Sequence, residues 1–287
     1  MTAVYERELR SYLNSMTGYV FAAFLLLFAG IYTMALNLRY GYSNFEYVLQ
    51  NMSFIFLIAI PILSMRIISE DRRQKTDQLL YSLPLGMTRV VVGKFLAMVT
   101  VIAIPVAVLC TYPLLLSCFG TISYAAAYGA IFGFFLFASA LAAIGMLVSS
   151  FTENQSVAAG ICFGVMLLLY FMYDLSSYVS TTATASLAAL MVLVLILAFL
   201  VRYLTKNTLA SLGTAGAGII ILIISFFAAK SSFEGLFGKI MKGLSLFERY
   251  STFGDGVFDL TALLYFLTVI AVCLFLTVQA MEKRRWN

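Results

Sequence analysis

The sequence predicts an all-α, polytopic membrane protein of about eight transmembrane helices, with an N-terminal interfacial amphipathic helix, a short cytoplasmic helix and an outer amphipathic helix. Three observations carry this. Hydrophobic residues make up 62% of the chain and charged residues 11%, against about 25% charge in soluble domains. The apolar runs are continuous, whereas the strands of a β-barrel would alternate residue by residue. No polar stretch exceeds about thirty residues, and a separate soluble domain needs about 50 or more. The whole chain, residues 1–287, therefore reads as a single transmembrane domain.

Residues 2–16 place Val4, Tyr5, Leu9, Tyr12, Leu13 and Met16 on one helical face, with Glu6, Arg7, Glu8, Arg10 and Asn14 on the other. That periodicity predicts a helix lying in the membrane interface, in contact with lipid. The leader lacks a short apolar core followed by a cleavage site, so the first span, rather than a signal peptide, is expected to direct insertion.

Apolar runs of about 20 residues, the length that crosses a bilayer, follow near 17–38, 48–68, 92–117, 125–149, 156–177, 185–204, 209–229 and 260–281. The fourth and fifth are parted only by the polar turn from Ser150 to Gln155, the sixth and seventh by a short stretch around Lys206. With the N-terminus inside, 13 of the 18 Lys and Arg residues fall on inner segments or on the span ends beside them. The positive-inside rule therefore puts both termini in the cytoplasm. Pro61, Pro105 and Pro113 can kink spans two and three. Gly129 and Gly133, and the run from Gly213 to Gly218, permit close helix packing, within the chain or across a dimer.

Between spans two and three, Arg66 to Lys94 holds six of the eighteen basic residues, a density that lipid does not tolerate, so the stretch projects into the cytoplasm. It carries a charged cluster, Glu70, Asp71, Arg72, Arg73 and Lys75, then a short segment from Thr76 to Leu83 that Pro84 stops. A short helix held out between two spans is well placed to touch another protein.

The longest outer segment, 230–259, repeats Leu236, Phe237, Ile240, Met241, Leu244, Phe247 and Tyr250 at helical spacing, with Lys239, Lys242, Ser245 and Arg249 between them. It reads as an amphipathic helix in the outer leaflet interface; a buried re-entrant helix is the competing reading. Gly254 and Gly256 flank Asp255 as a turn into the last span, and the closing EKRRWN is a basic stop with an interfacial Trp286.

Catalytic chemistry is hard to find. There is no histidine, which removes the commonest general base and metal ligand. Cys110, Cys118, Cys162 and Cys273 have no paired spacing and read as small hydrophobes rather than a disulfide framework or a thiolate metal site. The pairs Gly93-Lys94 and Gly238-Lys239 are followed by Phe95 and Ile240, and neither has the earlier glycine of a phosphate-cradling loop. No pair of carboxylates stands mid-span. No catalytic, metal or cofactor-binding residue is expected.

The segment SEDRRQKTDQLLYSLPLGMTRVVVGKF resembles the acidic-basic pair, short coupling helix and GKF-type start of the third span in ABC exporter permeases of the type 2 superfamily. More narrowly, YERELRSYLNSMTGYVF from Tyr5 to Phe21, SSFTENQ from Ser149 to Gln155 and the run from Arg249 to Trp286 resemble the gliding-motility-type permease branch. The resemblance implies the membrane subunit of an ATP-driven exporter in a prokaryotic cell membrane. Such a subunit pairs with a second permease chain, the same or homologous, and binds two cytoplasmic ABC ATPase subunits, which hold the ATP and Mg. Carried over, the coupling helix is Thr76 to Pro84, with Asp77 on it and Leu79, Leu80 and Leu83 as its docking face. Glu70, Arg72 and Arg73 would orient it, Glu6, Arg7 and Arg10 would mark the leader, and Glu153, Asn154 and Gln155 would form a second cytoplasmic turn. No nucleic-acid partner is implied. The family usually has six spans, so the apparent hairpin at 185–229 is a departure that suits an extracellular accessory subunit.

Two other functions compete. A mechanotransmitter would use ATP hydrolysis in its partner to act on an extracellular protein while nothing crosses the membrane; the outer segment and the extra hairpin favour it. A membrane-embedded enzyme or ion-coupled carrier would need mid-span charged groups that these spans lack. An aromatic content of 15% suits an amphipathic cargo without naming one.

Overall fold

The computed structural model describes residues 2–76, 86–179, 182–205, 208–228 and 233–286, and these are helical with short turns between. Helix α1, Thr2–Asn14, turns at Ser15 into α2, Met16–Tyr32, which runs on as a π-helical stretch, Thr33–Arg39. Gly18 makes that corner possible: a Cβ there would stand 2.8 Å from the Tyr12 carbonyl oxygen. Span two is assembled from α3, Phe45–Met52, a 3₁₀ turn, α4, Phe56–Ser64, and α5, Ser69–Arg73. Helix α6, Met87–Leu109, contains Pro105, and α7, Tyr112–Leu116, follows with Pro113 in its first turn. The chain continues through α8, Tyr124–Ser149, α9, Gln155–Tyr178, α10, Ala183–Thr205, α11, Thr208–Ala228, α12, Leu236–Leu244, α13, Leu246–Gly254, and α14, Leu260–Trp286.

Six stretches among the described residues are long and apolar enough to cross a membrane: Met16–Arg39, Phe45–Arg73, Met87–Leu116, Tyr124–Ser149, Gln155–Tyr178 and Leu260–Lys283. They correspond to the first five expected spans and the last. The sixth and seventh form as α10 and α11, whose described apolar stretches, Ala183–Leu195 and Ala215–Phe226, are shorter.

Packing divides the chain into two compact units, Met1–Tyr170 with Leu246–Asn287, and Phe171–Ser245. The first is organised around α8, the most buried span, with α4, α6, α13 and α14 against it. Lipid tails are as apolar as side chains, so membrane helices associate through close van der Waals contact, which small residues allow. Alanines and glycines of α8 supply that closeness. A Cβ at Gly133 would meet the Phe253 ring at 2.8 Å, and one at Gly145 would collide with Ser64. Aromatic rings fill the remaining space: Phe137 stacks on Tyr250 with centroids 4.9 Å apart and takes Phe247 edge-on at the same distance.

In the second unit, Gly218 of α11 lets the helix close on Val194 of α10, where a Cβ would stand 2.7 Å from the valine. Phe226 and Phe233 meet edge to face at 5.5 Å, and Lys242 of α12 lies over the Tyr173 ring.

The single amphipathic helix expected over 230–259 is two. Ser245 is extended, with ψ 110°, and separates α12 from α13. Helix α12 has no buried residue, whereas α13 buries Leu246, Phe247, Tyr250, Phe253 and Gly254. The interfacial reading is thus corrected for Leu246–Gly254, which packs on α3 and α8 inside the protein, because its three rings complete the aromatic core.

Candidate functional site

Helix α1 is the starting point. Val4, Glu8 and Tyr12, four residues apart, form one stripe, and all three are buried. The sequence reading placed Glu8 on the polar face; the correction has a specific cause. Lys94, two turns into α6 and only 1% exposed, reaches back to meet Glu8.

The Lys94 ammonium stands 2.7 Å from Asp71 Oδ2 and 2.9 Å from Glu8 Oε1, and donates to the Ile67 carbonyl oxygen at 2.8 Å. An ammonium has three donors, and here each has an acceptor. The Arg7 guanidinium stands 2.6 Å from Glu8 and 3.4 Å from Asp71. Thr76 donates to Asp71 Oδ1 at 3.0 Å. Two acids and two bases therefore balance in one cluster, buried at Lys94 and Glu8 and open to solvent at Arg7, that ties α1, α5 and α6 together. A lysine is almost never fully buried unless paired in this way.

Neighbouring contacts extend the tie. The Tyr12 hydroxyl donates to the Leu63 carbonyl oxygen at 3.0 Å; burial raises its pKa far above the ordinary phenol value, so it stays a donor. Tyr5 meets Thr100, and Val4 packs on Val90. Arg66 pairs with Glu70 at 2.7 Å and donates to Thr17 at 2.9 Å. These side chains border a cleft of 290 Å³ lined by Arg7, Glu8, Arg66, Glu70, Asp71 and Thr76, among others.

A second link joins this cluster to α8. The chain turns between α4 and α5, freeing backbone groups that an uninterrupted helix would pair. The Ser149 hydroxyl, at the end of α8, accepts from Ile68 N at 3.3 Å and Ser69 N at 3.1 Å and donates to the Met65 carbonyl oxygen at 3.2 Å. It caps α5 from another span. Ser149 immediately precedes the turn to α9, so the two loops read as separate in the sequence meet through one hydroxyl.

Residues 2–285 match the family model described as ABC-2 family transporter protein. The chain belongs to the ABC-2 family. No curated protein sequence matches it. As an ABC-2 permease it is a multi-pass membrane protein and the membrane subunit of an ABC transporter rather than the ATPase.

The ABC-2 permease distributes its sequence-identified residues unevenly around this geometry. Arg7 lies in the cluster, while Glu6 and Arg10 are exposed on α1. Glu70 pairs back to Arg66 and also accepts from Gln74 Nε2 at 3.1 Å, Arg72 is buried and Arg73 is exposed. Thr76 holds Asp71, but Asp77, Leu79, Leu80, Leu83 and Pro84 lie outside the described residues. Glu153 and Asn154 lie between α8 and α9 and Gln155 opens α9, with Asn154 Oδ1 accepting from Ser156 N at 3.0 Å. The sequence assigns no site role to Glu8, Lys94 or Ser149, and it names Asp71 only as a member of the charged cluster. A signal existed for two of them: Glu8 interrupts an apolar four-residue stripe, and Lys94 stands inside a span.

Proposed function

We propose that this ABC-2 permease is the membrane half of an ATP-driven exporter and that the Glu8–Lys94–Asp71 cluster carries force from a cytoplasmic ABC ATPase to the spans. The supporting observation is the burial of Lys94 between two carboxylates on different elements. A rigid connection is what turns the closure of a partner into a hinge or shear movement of helices. With the N-terminus cytoplasmic in a prokaryotic membrane, the cluster lies at the base of the coupling helix expected from Thr76 to Pro84, which docks through Leu79, Leu80 and Leu83. Two ATPase copies, holding ATP and Mg, and a second permease chain complete the machine. The finer assignment, to the gliding-motility-type branch, rests on the motifs at Tyr5–Phe21, Ser149–Gln155 and Arg249–Trp286.

One observation favours a second reading. Phe171–Ser245 folds as its own compact unit, with α12 against the hairpin of α10 and α11. Such a unit suits an extracellular accessory protein on which the machine acts without moving cargo.

Isolation of the intact complex from its native membrane tests the main reading, with an ABC ATPase expected to co-purify. Leu80→Asp, or charge reversal at Arg72 and Arg73, is expected to abolish assembly or ATP-driven turnover. If assembly and turnover both survive those changes, the docking assignment fails. Transport of labelled cargo into proteoliposomes separates the exporter from the mechanotransmitter.

A further inference from the structure

Helix α12 and the last turn of α9 border a cleft of 350 Å³, lined by Ser176 of α9 and by Glu234, Gly235, Gly238, Lys239 and Lys242. The two helices lie close: a Cβ at Gly238 would stand 3.4 Å from the Ser176 carbonyl oxygen. The Lys242 ammonium stands 5.5 Å from the centre of the Tyr173 ring, which holds it against α9. One acid and two bases thus share the lining, and among the described residues none of the three forms an ion pair. Opposite charges that line one cleft without pairing leave both signs available to an occupant.

The place of the cleft narrows the choice. Gln155–Tyr178 is long and apolar enough to cross a membrane, and Ser176 stands in its last turn. The cleft therefore sits where a span meets the headgroup layer, the level at which tyrosines and lysines gather. Tyr173 and Tyr178 are both exposed there, as is Leu175 beside Ser176. Apolar surface for acyl chains thus runs up to a charged cleft.

The chemistry selects the occupant. A phosphate suits the two lysines, and the first turn of α12, at Gly235 and Gly238, adds the positive end of a helix and its N–H groups. An ammonium suits the Glu234 carboxylate and the carbonyl end of α9, which carries the opposite dipole. A purely anionic group would meet Glu234, and a bare metal ion would meet the lysines. We propose that this cleft seats the headgroup of a zwitterionic phospholipid that bears a primary ammonium, with its phosphate on Lys239 and Lys242 and its ammonium on Glu234. The site uses no residue of the coupling function proposed above and is tested without ATP.

The probe is palmitoyl-oleoyl-phosphatidylethanolamine, titrated into the detergent-purified full-length chain, with bound lipid counted by native mass spectrometry. The wild type is expected to hold a saturable lipid whose Kd rises about five-fold for each lysine removed in Lys239→Gln and in Lys239→Gln with Lys242→Gln. Glu234→Gln is expected to weaken this lipid while leaving palmitoyl-oleoyl-phosphatidylglycerol, which has the phosphate but no ammonium, bound as before or more tightly. All three positions are exposed, so the variants are expected to fold. The proposal is overturned by a wild type that binds no better than the double lysine variant, or by Glu234→Gln shifting both lipids alike. It is also overturned if soluble phosphoethanolamine displaces the lipid at equal concentration, which would mark a site for free phosphate compounds. Should a lysine variant not fold, the Glu234→Gln comparison decides by the same criterion.

Discussion

Lys94 Nζ lies 2.9 Å from Glu8 Oε1 across 86 residues of sequence, and that pair joins the first helix to the third span. Buried pairs of this kind are strongly destabilising to break and weakly stabilising to keep, because the surviving charge has lost its compensation. Lys94→Met is expected to lower unfolding stability by about 3–5 kcal/mol by leaving Glu8 and Asp71 with Arg7 alone. The triple change Glu8→Gln, Asp71→Asn, Lys94→Met is expected to recover much of that loss. Thermal unfolding in detergent of the single and triple variants checks both signs.

Ser149 gives a second expectation. Its hydroxyl serves two backbone N–H groups and one carbonyl oxygen at the turn before α5. Ser149→Ala strands buried backbone donors, at a cost of about 1–3 kcal/mol. Hydrogen exchange should show the loss locally, with faster exchange at Ile68 and Ser69 and unchanged protection in the middle of α8.

Gly133 tests the packing of α13. A Cβ there would press on the Phe253 ring at 2.8 Å, so Gly133→Ala should destabilise by about 1–3 kcal/mol, as overpacking does. Adding Phe253→Leu should restore part of the loss, and a double-mutant cycle on Tm measures the coupling.

Asp259 supplies a pH dependence. Its Oδ1 accepts from the Thr261 hydroxyl at 2.6 Å and from Thr261 N at 2.8 Å, and these bonds hold the carboxyl below its ordinary pKa. A carboxyl with a lowered folded pKa stabilises the fold above its unfolded pKa, and the contribution is lost as pH falls through the folded pKa. Wild type should therefore exceed Asp259→Ala in stability at neutral pH, with the gap closing on acidification. Paired denaturation curves across that range check it.

The spans were legible because continuous apolarity is a strong, local signal, and the turn from Ser150 to Gln155 likewise announced itself. What escaped was non-local. Glu8 reads as part of a polar face because its neighbours Glu6, Arg7 and Arg10 are charged, and only Lys94, far away in the chain, explains why it turns in. Glu70 and Asp71 are adjacent acids in the same motif, yet one pairs locally with Arg66 and the other with Lys94; helix phase at the break after α4 decides which. The helical periodicity of 236–250 ran through Ser245, so nothing local marked the break that sends α13 into the core.

Whether α1 and α6 move as one body can be read from the distance between spin labels at the exposed positions Asn14 and Thr88, with Cys110 and Cys118 replaced by Ser. The measurement is made by electron–electron double resonance in the complete transporter, before and after trapping with ATP and vanadate. The expected result is one narrow distance distribution, unchanged by trapping, that shifts or broadens in Lys94→Met. A wild-type distance that changes on trapping would contradict a rigid clamp at Lys94.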